Sequence, residues 1–374
     1  MSRLTVGVDV AATAVRVVAV SGTDDYGFAK VVRAVSVPLP TGAMVAGEVK
    51  QPAAVAQALS SALADAHVPK RGIVVAVSSR NVAVNQLASA GAIQPSERAQ
   101  SLRMSRTEIS PTVPLDQSAL SWNLVRTDVT GEGQTVNTLN VAVALRAEVD
   151  TIVRLCAQAG SVVQAVDLPA AALLRSMARV REGDSDIATV VDIGATKTVV
   201  ATREGLHLRS VRVFPFGGSN ITRALMTAMD ASMEEAENRK RFLALPGSSS
   251  RPKMSATNAY ADLGAADTDG PDVTSAEDVL AKAAEQLIEE IAKSVAADAR
   301  DHGGVPTRGI QLVGGGARLR GLPERLSDRI GVPVALAAPW ASLELTRTSP
   351  RSPSDAELPD MATAIGLALW RPPS

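Results

Sequence analysis

A short pattern occurs twice, in two distant parts of the chain. Each copy is an apolar, β-branched run that ends in Asp, followed by a turn of small residues and a second apolar run. The copies lie at 6–20 (VGVDVAATAVRVVAV) and 190–202 (VVDIGATKTVVAT), and their aspartates are Asp9 and Asp192. A repeat separated by 183 residues indicates two related halves that share a cleft.

Composition excludes several classes of protein. The 374 residues are 46% apolar and 21% charged, which is typical of a globular chain. A net charge of -1 argues against a nucleic-acid binder. Cys156 is the single cysteine, so an intramolecular disulfide is excluded. Aromatic residues make up 2%, so we expect a core of Ala, Val, Leu and Ile with closely packed elements.

The sequence carries no apolar stretch of signal-peptide type and no run of about 18–20 apolar residues. We therefore expect a soluble cytoplasmic protein that does not insert into the membrane directly.

Both copies open a run of three predicted strands, at 4–10, 14–21 and 28–37 and at 188–191, 198–202 and 206–213. Segment 80–160 reads as an inserted strand–helix–strand–strand module followed by a helix. Residues 247–275 read as a long mobile loop. The expected domains are a first lobe core (1–79 and 161–183), the inserted module (80–160), a second lobe core (184–222 and 300–374) and a small subdomain of the second lobe (223–299).

The first turn carries one set of candidate ligand groups. An Asp that ends a strand before a tight turn of small residues can hold Mg²⁺ through water, while the turn offers backbone N–H groups to phosphate. The candidates are Asp9, Ala11, Ala12, Thr13 and Arg16. An ordinary β-hairpin is the alternative.

The second turn carries a similar set. Gly194 allows close backbone approach, Thr196 offers a hydroxyl and Lys197 offers a cation to phosphate. With Asp192 and Ala195, this turn is expected to form a second phosphate-binding hairpin opposite the first turn. The two hairpins together favour phosphate binding, with Mg²⁺ near Asp9 and Asp192.

Three further segments complete the candidate site. Gly217 and Gly218 precede a helix, which suggests either an anion site or a connector with an N-cap at Ser219 or Asn220. Three glycines end a buried strand and can lie against a nucleoside. On a charged helix, two side chains three residues apart are candidate ribose and base contacts. The three glycines are Gly314, Gly315 and Gly316, and the two helix side chains are Glu237 and Lys240.

In this order, the segments resemble the actin-like ATPase superfamily, and most closely the PilM-like family of type IV pilus assembly proteins. Further similarity lies at 95–98 (PSER), 109–116 (ISPTVPLD), 165–169 (AVDLP), 215–218 (PFGG), 236–240 (AENRK) and 364–369 (AIGLAL). The resemblance implies an α/β, ribonuclease H-like fold of two lobes with duplicated cores. It also implies an ATP and Mg²⁺ site built from the residues above, with Arg318 beside the glycines.

The family resemblance also implies partners. The module at 80–160 is expected to bind the cytoplasmic N-terminal peptide of a PilN-like membrane protein, through strand edges and apolar pockets. That partner would hold the protein at the inner face of the cytoplasmic membrane. Pilus motor ATPases and self-association are further implied contacts.

The first turn departs from the family pattern Asp-Ile-Gly-Ser-Xaa-Ser, because 9–14 here read Asp-Val-Ala-Ala-Thr-Ala. Thr13 supplies one hydroxyl and Arg16 retains the positive charge. No water-activating Glu or Gln is assigned; Asp167, near the end of a predicted strand, is a carboxylate without an assigned role. We expect at most weak ATPase activity.

Two alternatives remain open. An FtsA-like division protein that forms filaments would share the fold, although its amphipathic membrane helix is not seen after Trp370. A sugar or acetate kinase of the same superfamily would share the loop at Asp192, but it needs a second catalytic Asp in a substrate pocket.

Overall fold

The computed structural model describes residues 4–23, 29–45, 47–77, 82–90, 115–177, 186–205, 207–245, 273–337, 344–345, 353 and 357–371. The predicted helix at 95–105, the predicted loop as far as residue 272 and the predicted 181–184 linker lie outside these residues.

A mixed sheet forms the first lobe. Three consecutive antiparallel strands are joined by two parallel strands on one side and a short parallel strand on the other, in the order β10-β6-β1-β2-β3-β16. Their bounds are β1 (Leu4–Val10), β2 (Ala14–Thr23), β3 (Ala29–Pro38), β6 (Arg71–Ala76), β10 (Val162–Asp167) and β16 (Glu344–Leu345). A small hairpin, β4 (Met44–Val45) and β5 (Glu48–Val49), follows β3.

The second lobe repeats this topology. Its sheet has the order β13-β12-β11-β14-β15, with three antiparallel strands followed by two parallel ones. The bounds are β11 (Ile187–Ile193), β12 (Thr198–Glu204), β13 (His207–Phe214), β14 (Ile310–Val313) and β15 (Val334–Leu336). The predicted duplication is therefore confirmed in the connectivity of both sheets.

The inserted module contains a three-stranded antiparallel sheet of β7 (Val82–Ala90), β9 (Thr135–Leu145) and β8 (Ser118–Val129), in that order. Its central strand β9 supplies a small apolar core with Leu139, Val141 and Val143. The module also contacts β13 of the second lobe through β7 and β9.

Helices cover the outer faces of the sheets. The described helices are α1 (Pro52–Asp65), α2 (Arg146–Gln158), α3 (Pro169–Met177), α4 (Gly218–Met229), α5 (Met233–Phe242), α6 (Val273–Asp301), α7 (Leu322–Ile330) and α8 (Ala362–Ala368). α1 and α2 share a core with the first sheet, whereas α4, α6 and α7 share one with the second. Within the described part of the chain, 3-10 turns lie at Leu115–Gln117, Gly315–Arg318 and Leu358–Met361.

Two helices rich in Ala connect the lobes. α3 packs against β12 of the second sheet, α8 packs against β1 and β2 of the first, and the two helices pack against each other. The Nε of Arg175 donates to the carbonyl oxygen of Gly366 at 3.0 Å across this contact. Small side chains permit the close approach, so few aromatic residues are needed.

The domain prediction grouped 300–374 with the second lobe. In the structure, the closing segment 357–371 departs from this division, because α8 shares a core with β2 and β3 of the first sheet. A Cβ on Gly7 would lie 2.2 Å from the carbonyl oxygen of Ala364, so glycine in β1 makes room for this helix. No helix among the described residues is long and apolar enough to cross a membrane.

Candidate functional site

Two hairpins of matching geometry face the cleft. The N–H of Ala11 donates to the carbonyl oxygen of Ala14 at 3.0 Å, and the N–H of Gly194 donates to that of Lys197 at 3.0 Å. These bonds close the same four-residue turn after Asp9 and Asp192, the penultimate residues of β1 and β11. The predicted pairing of two equivalent turns, each with an Asp at its entrance, is thus seen in three dimensions.

Four charged side chains from the two hairpins lie within electrostatic reach of one another. A guanidinium nitrogen of Arg16 is 3.5 Å from a carboxylate oxygen of Asp9, and both side chains are almost fully buried. Burial raises the pKa of Asp9, against the opposing effect of Arg16 and Lys197. Burial, with the nearby charge of Asp9, raises the pKa of Asp192 to about 6. Burial also lowers the pKa of Lys197, which the two aspartates oppose.

Buried polar atoms in these hairpins have no hydrogen-bond partner among the described residues. They are the hydroxyl of Thr196 and the Nε of Arg16. A buried group without a partner is costly, so such atoms indicate a polar ligand. A donor set of two cations, a hydroxyl and two carboxylates fits a phosphate chain with a bound divalent cation. When bound, Mg²⁺ would neutralise phosphate charge between Asp9 and Asp192.

Among the described residues, no cluster of three or more His, Cys, Asp or Glu side chains is arranged to hold a metal ion by itself. Mg²⁺ in this cleft would therefore take most of its ligands from phosphate oxygens and water, as Mg²⁺ commonly does.

The structure corrects the role expected for Gly217 and Gly218. Their N–H groups were expected to bind phosphate, but the N–H of Gly218 donates to Gly194 at 2.9 Å and that of Ser219 donates to Ala195 at 2.8 Å. The N–H of Gly217 donates to the side chain of Asn220 at 3.0 Å. The segment therefore supports the second hairpin from behind, and its backbone donors are already used.

A Gly217→Ala variant is expected to displace this hairpin. The new Cβ would lie 2.4 Å from the carbonyl oxygen of Gly194, and overpacking of this kind costs about 1–3 kcal/mol. Denaturant unfolding should show that loss, and calorimetry should show weaker nucleotide binding. Gly218→Ala is the matched control, because its Cβ would make only ordinary contacts, with the flexible end of Lys240 at 3.5 Å and with backbone atoms of Gly194 and Gly316 at 3.8 and 3.9 Å. Equal stability of the two variants would contradict the supporting role.

A side chain of the charged helix α5 contacts the same segment that supports the second hairpin. The Nζ of Lys240 donates to the carbonyl oxygen of Gly218 at 3.1 Å, to the hydroxyl of Thr222 at 2.7 Å and to Glu237 at 2.8 Å. Hydrogen bonds from Lys240 and Thr222 hold the pKa of Glu237 below its usual value, although burial opposes them. The predicted pair therefore lies beside the second hairpin, with all three Lys240 donors engaged inside the protein.

The glycine run after β14 divides into two roles. A Cβ on Gly314 would lie 2.3 Å from a carboxylate oxygen of Asp192, and one on Gly316 would lie 2.3 Å from Ile193. These two glycines let the turn pack against the second hairpin. Gly315 is exposed and remains the one available to lie against a base. Of the three glycines that were expected to lie against a nucleoside, the structure thus leaves Gly315 available.

Arg318 is paired with a residue that the sequence analysis missed. Its guanidinium donates to Asp360 at 3.0 Å, in the 3-10 turn before α8. The negative charge of Asp360 also contributes to the raised pKa of Asp192. Glu148, at the start of α2, opposes the lowered pKa of Lys197. Both residues lie far from the hairpins in sequence, and no local motif marked them.

A second concave site lies between the inserted module and both lobes. It is a mainly apolar groove of about 560 Å³ lined by β8, β9, the start of α2, the β10–α3 junction and the β12–β13 turn. Asp167 and Arg175 form an ion pair on its wall. Asp167, the carboxylate considered above for water activation, therefore lines this groove and is paired with Arg175. We refer to this site as the module groove.

Comparison with known proteins supports the resemblance. The family model of the type IV pilus assembly protein PilM matches residues 7–252, and that of the cell division protein FtsA matches 189–366. The cell division protein FtsA of Streptococcus pneumoniae is 27% identical over 185 residues, which are 49% of this chain and only 38% of that protein.

Solved structures agree over the full length. The PilM-PilN type IV pilus biogenesis complex is similar with a TM-score of 0.76 and 25% identity, and the match covers 99% of this chain and 98% of that chain. The ethanolamine utilization protein EutJ from Carboxydothermus hydrogenoformans has a TM-score of 0.54 at 17% identity, covering 99% of this chain and 90% of that one, which shows that the two chains share a fold. Because the PilM family model matches well over half of the residues of this chain, the chain belongs to the PilM family of type IV pilus assembly proteins.

Proposed function

We propose that this chain is an actin-like scaffold of the inner-membrane platform that assembles type IV pili, or of a related secretion or competence system. It binds ATP between its lobes and the N-terminal tail of a PilN-like membrane protein in the module groove. The observation that carries this proposal is the full-length similarity to a PilM-PilN complex, joined to the family match. The FtsA match leaves out residues 1–188, which include the module, and gives the division-protein alternative less support.

The nucleotide part of the proposal is supported by the cleft. The charges of Asp9, Arg16 and Lys197 act on Asp192, Arg16 pairs with Asp9, and the unpartnered Thr196 hydroxyl can donate to a phosphate oxygen. ATP and Mg²⁺ are the ligands that fit these groups. Turnover is slow at most, because Asp167 is held by Arg175 in the module groove.

The partner part is supported by the shape and chemistry of the module groove. An extended peptide needs apolar pockets and hydrogen-bonding groups along one wall. Leu120, Ala142 and Val149 supply apolar surface, and the Asp167–Arg175 pair supplies charge. Through this partner, the protein is held at the cytoplasmic face of the membrane. We also propose that it contacts pilus motor ATPases and associates with further copies of itself.

Calorimetry on the full chain tests both parts. Titration with MgATP and, separately, with a synthetic peptide of a PilN homologue's N-terminal tail should each give saturable binding at one site. No heat with either ligand would overturn the scaffold proposal. Sugar-stimulated release of ADP would instead favour the kinase alternative.

An Ala142→Arg variant is expected to block the groove. Ala142 lies on β9 and lines the groove, so a long charged side chain there fills its apolar space. We expect the affinity for the tail peptide to fall at least tenfold, about 1.4 kcal/mol, while MgATP binding stays unchanged. Ala157→Arg is the matched control, on the exposed face of α2. Peptide binding that survives Ala142→Arg would place the tail elsewhere.

A further inference from the structure

One asparagine in the module groove belongs to the first-lobe module but contacts the second lobe. Asn140 lies on β9, and its side-chain Nδ2 donates to the carbonyl oxygen of Leu208 on β13 at 2.7 Å. A carbonyl oxygen only accepts hydrogen bonds, so the amide nitrogen of Asn140 must be the atom that faces Leu208. This bond joins the module to the second lobe across 68 residues of sequence.

The other end of the same amide has no partner. Asn140 is 5% exposed, and its Oδ1 accepts no hydrogen bond among the described residues. Both Asn140 and Leu208 line the module groove. A buried amide oxygen in the wall of a peptide-sized groove is an acceptor suited to a backbone N–H of an extended chain.

Resting on the proposed function, we propose that Asn140 couples partner binding to the arrangement of the lobes. Its Oδ1 accepts a backbone N–H from the tail of the PilN-like protein, while its Nδ2 holds the second lobe at Leu208. One amide thus binds the tail and joins the lobes, so the tail binds best when the β12–β13 turn forms its part of the groove wall.

The consequence is reciprocal. Nucleotide binds between the two hairpins and changes the relation of the lobes, which alters the Asn140–Leu208 contact. By linkage, a nucleotide that changes affinity for the tail is itself bound with an affinity that the tail changes by the same factor. The signal needs no path through the core, because the groove is built from both lobes.

The experiment is fluorescence anisotropy with a labelled N-terminal tail peptide of a PilN homologue, with and without a non-hydrolysable ATP analogue and Mg²⁺. Wild-type affinity should change about fivefold or more with nucleotide. In Asn140→Ala, the affinity should fall about fivefold to tenfold, and the nucleotide effect should disappear. If the alanine variant does not fold, Asn140→Thr keeps a strand-forming residue that cannot reach Leu208.

Asn137→Ala is the matched control. Asn137 lies on the same strand and is equally buried, but its Oδ1 accepts from Thr127 within the module. Hydrogen exchange adds a readout without peptide, because amides at 207–210 should exchange faster in Asn140→Ala than in Asn137→Ala.

The outcomes separate the two proposals. A wild-type chain that does not bind the peptide overturns the proposed partner. A wild-type chain that binds it, with Asn140→Ala equal to Asn137→Ala in affinity, nucleotide effect and exchange, overturns the coupling role alone.

Discussion

A Gly366→Ala substitution is expected to destabilise the protein by about 3 kcal/mol or more, at the upper end of overpacking effects. The new Cβ would lie 1.7 Å from the carbonyl oxygen of Ala172 and 2.3 Å from its carbonyl carbon. Both are backbone atoms of α3, so α3 and α8 must separate. Since Gly→Ala in a helix otherwise stabilises by about 1 kcal/mol, the expected sign is opposite to that of helix propensity.

Denaturant unfolding measures this effect. Gly131→Ala is the control, because a Cβ at that turn position meets nothing within 4 Å. A Gly366→Ala variant as stable as the wild type, or more stable, would show that the two connecting helices are not in close backbone contact.

An Asp192→Asn substitution is expected to stabilise the nucleotide-free protein and to weaken MgATP binding. Burial raises the pKa of Asp192 to about 6, so the folded state binds its proton more tightly than the unfolded state, where the pKa is near 4. Between about pH 4 and pH 6 the folded state holds more protons, so stability falls as the pH rises. Above pH 6 the full cost, up to about 3 kcal/mol, is present.

Thermal melts at pH 8 should therefore show a higher melting temperature for Asp192→Asn than for the wild type, and the difference should shrink toward pH 4. Calorimetry at pH 8 should show MgATP affinity reduced at least about tenfold. Asp186→Asn, at an exposed ion pair with Arg308, is the control and should change neither property appreciably. A less stable Asp192→Asn variant with unchanged MgATP affinity would contradict this role of the cleft.

Much of the fold was predictable because it rests on local patterns. The strands on both sides of Asp9 and Asp192 are rich in β-branched residues, and their repeat predicts two equivalent sheets. The last two strands of the inserted module were equally predictable, since Gly131 and Gly133 mark the hairpin that joins them. The observed limits of the six strands predicted at the start of the two lobes differ from the predicted limits by about two residues at most.

What the sequence did not predict depends on long-range packing. Gly217 and Gly218 resemble an anion site in sequence, and only the structure shows that their donors are used by Gly194 and a neighbouring residue. The pairing of β16 with β3 also joins segments about three hundred residues apart, with no local signal.

Asp360 and Asn140 also reach their sites through long-range packing. Asp360 reaches the cleft because the 3-10 turn before α8 passes beside Gly315. Asn140 acquires its role only when β13 of the other lobe is placed against it. An isolated polar residue within a strand gives no indication of a partner from another lobe.

We propose that one chain carries a nucleotide cleft and a separate partner groove that both lobes form. Hydrogen–deuterium exchange on the wild-type chain tests it most directly, with MgATP analogue and PilN-homologue tail peptide added singly and together. Nucleotide should protect 9–16 and 192–197, and peptide should protect β9 together with 207–210. Peptide protection confined to one lobe would rule out a groove formed by both lobes, and nucleotide protection that spares both hairpins would rule out the cleft as the nucleotide site.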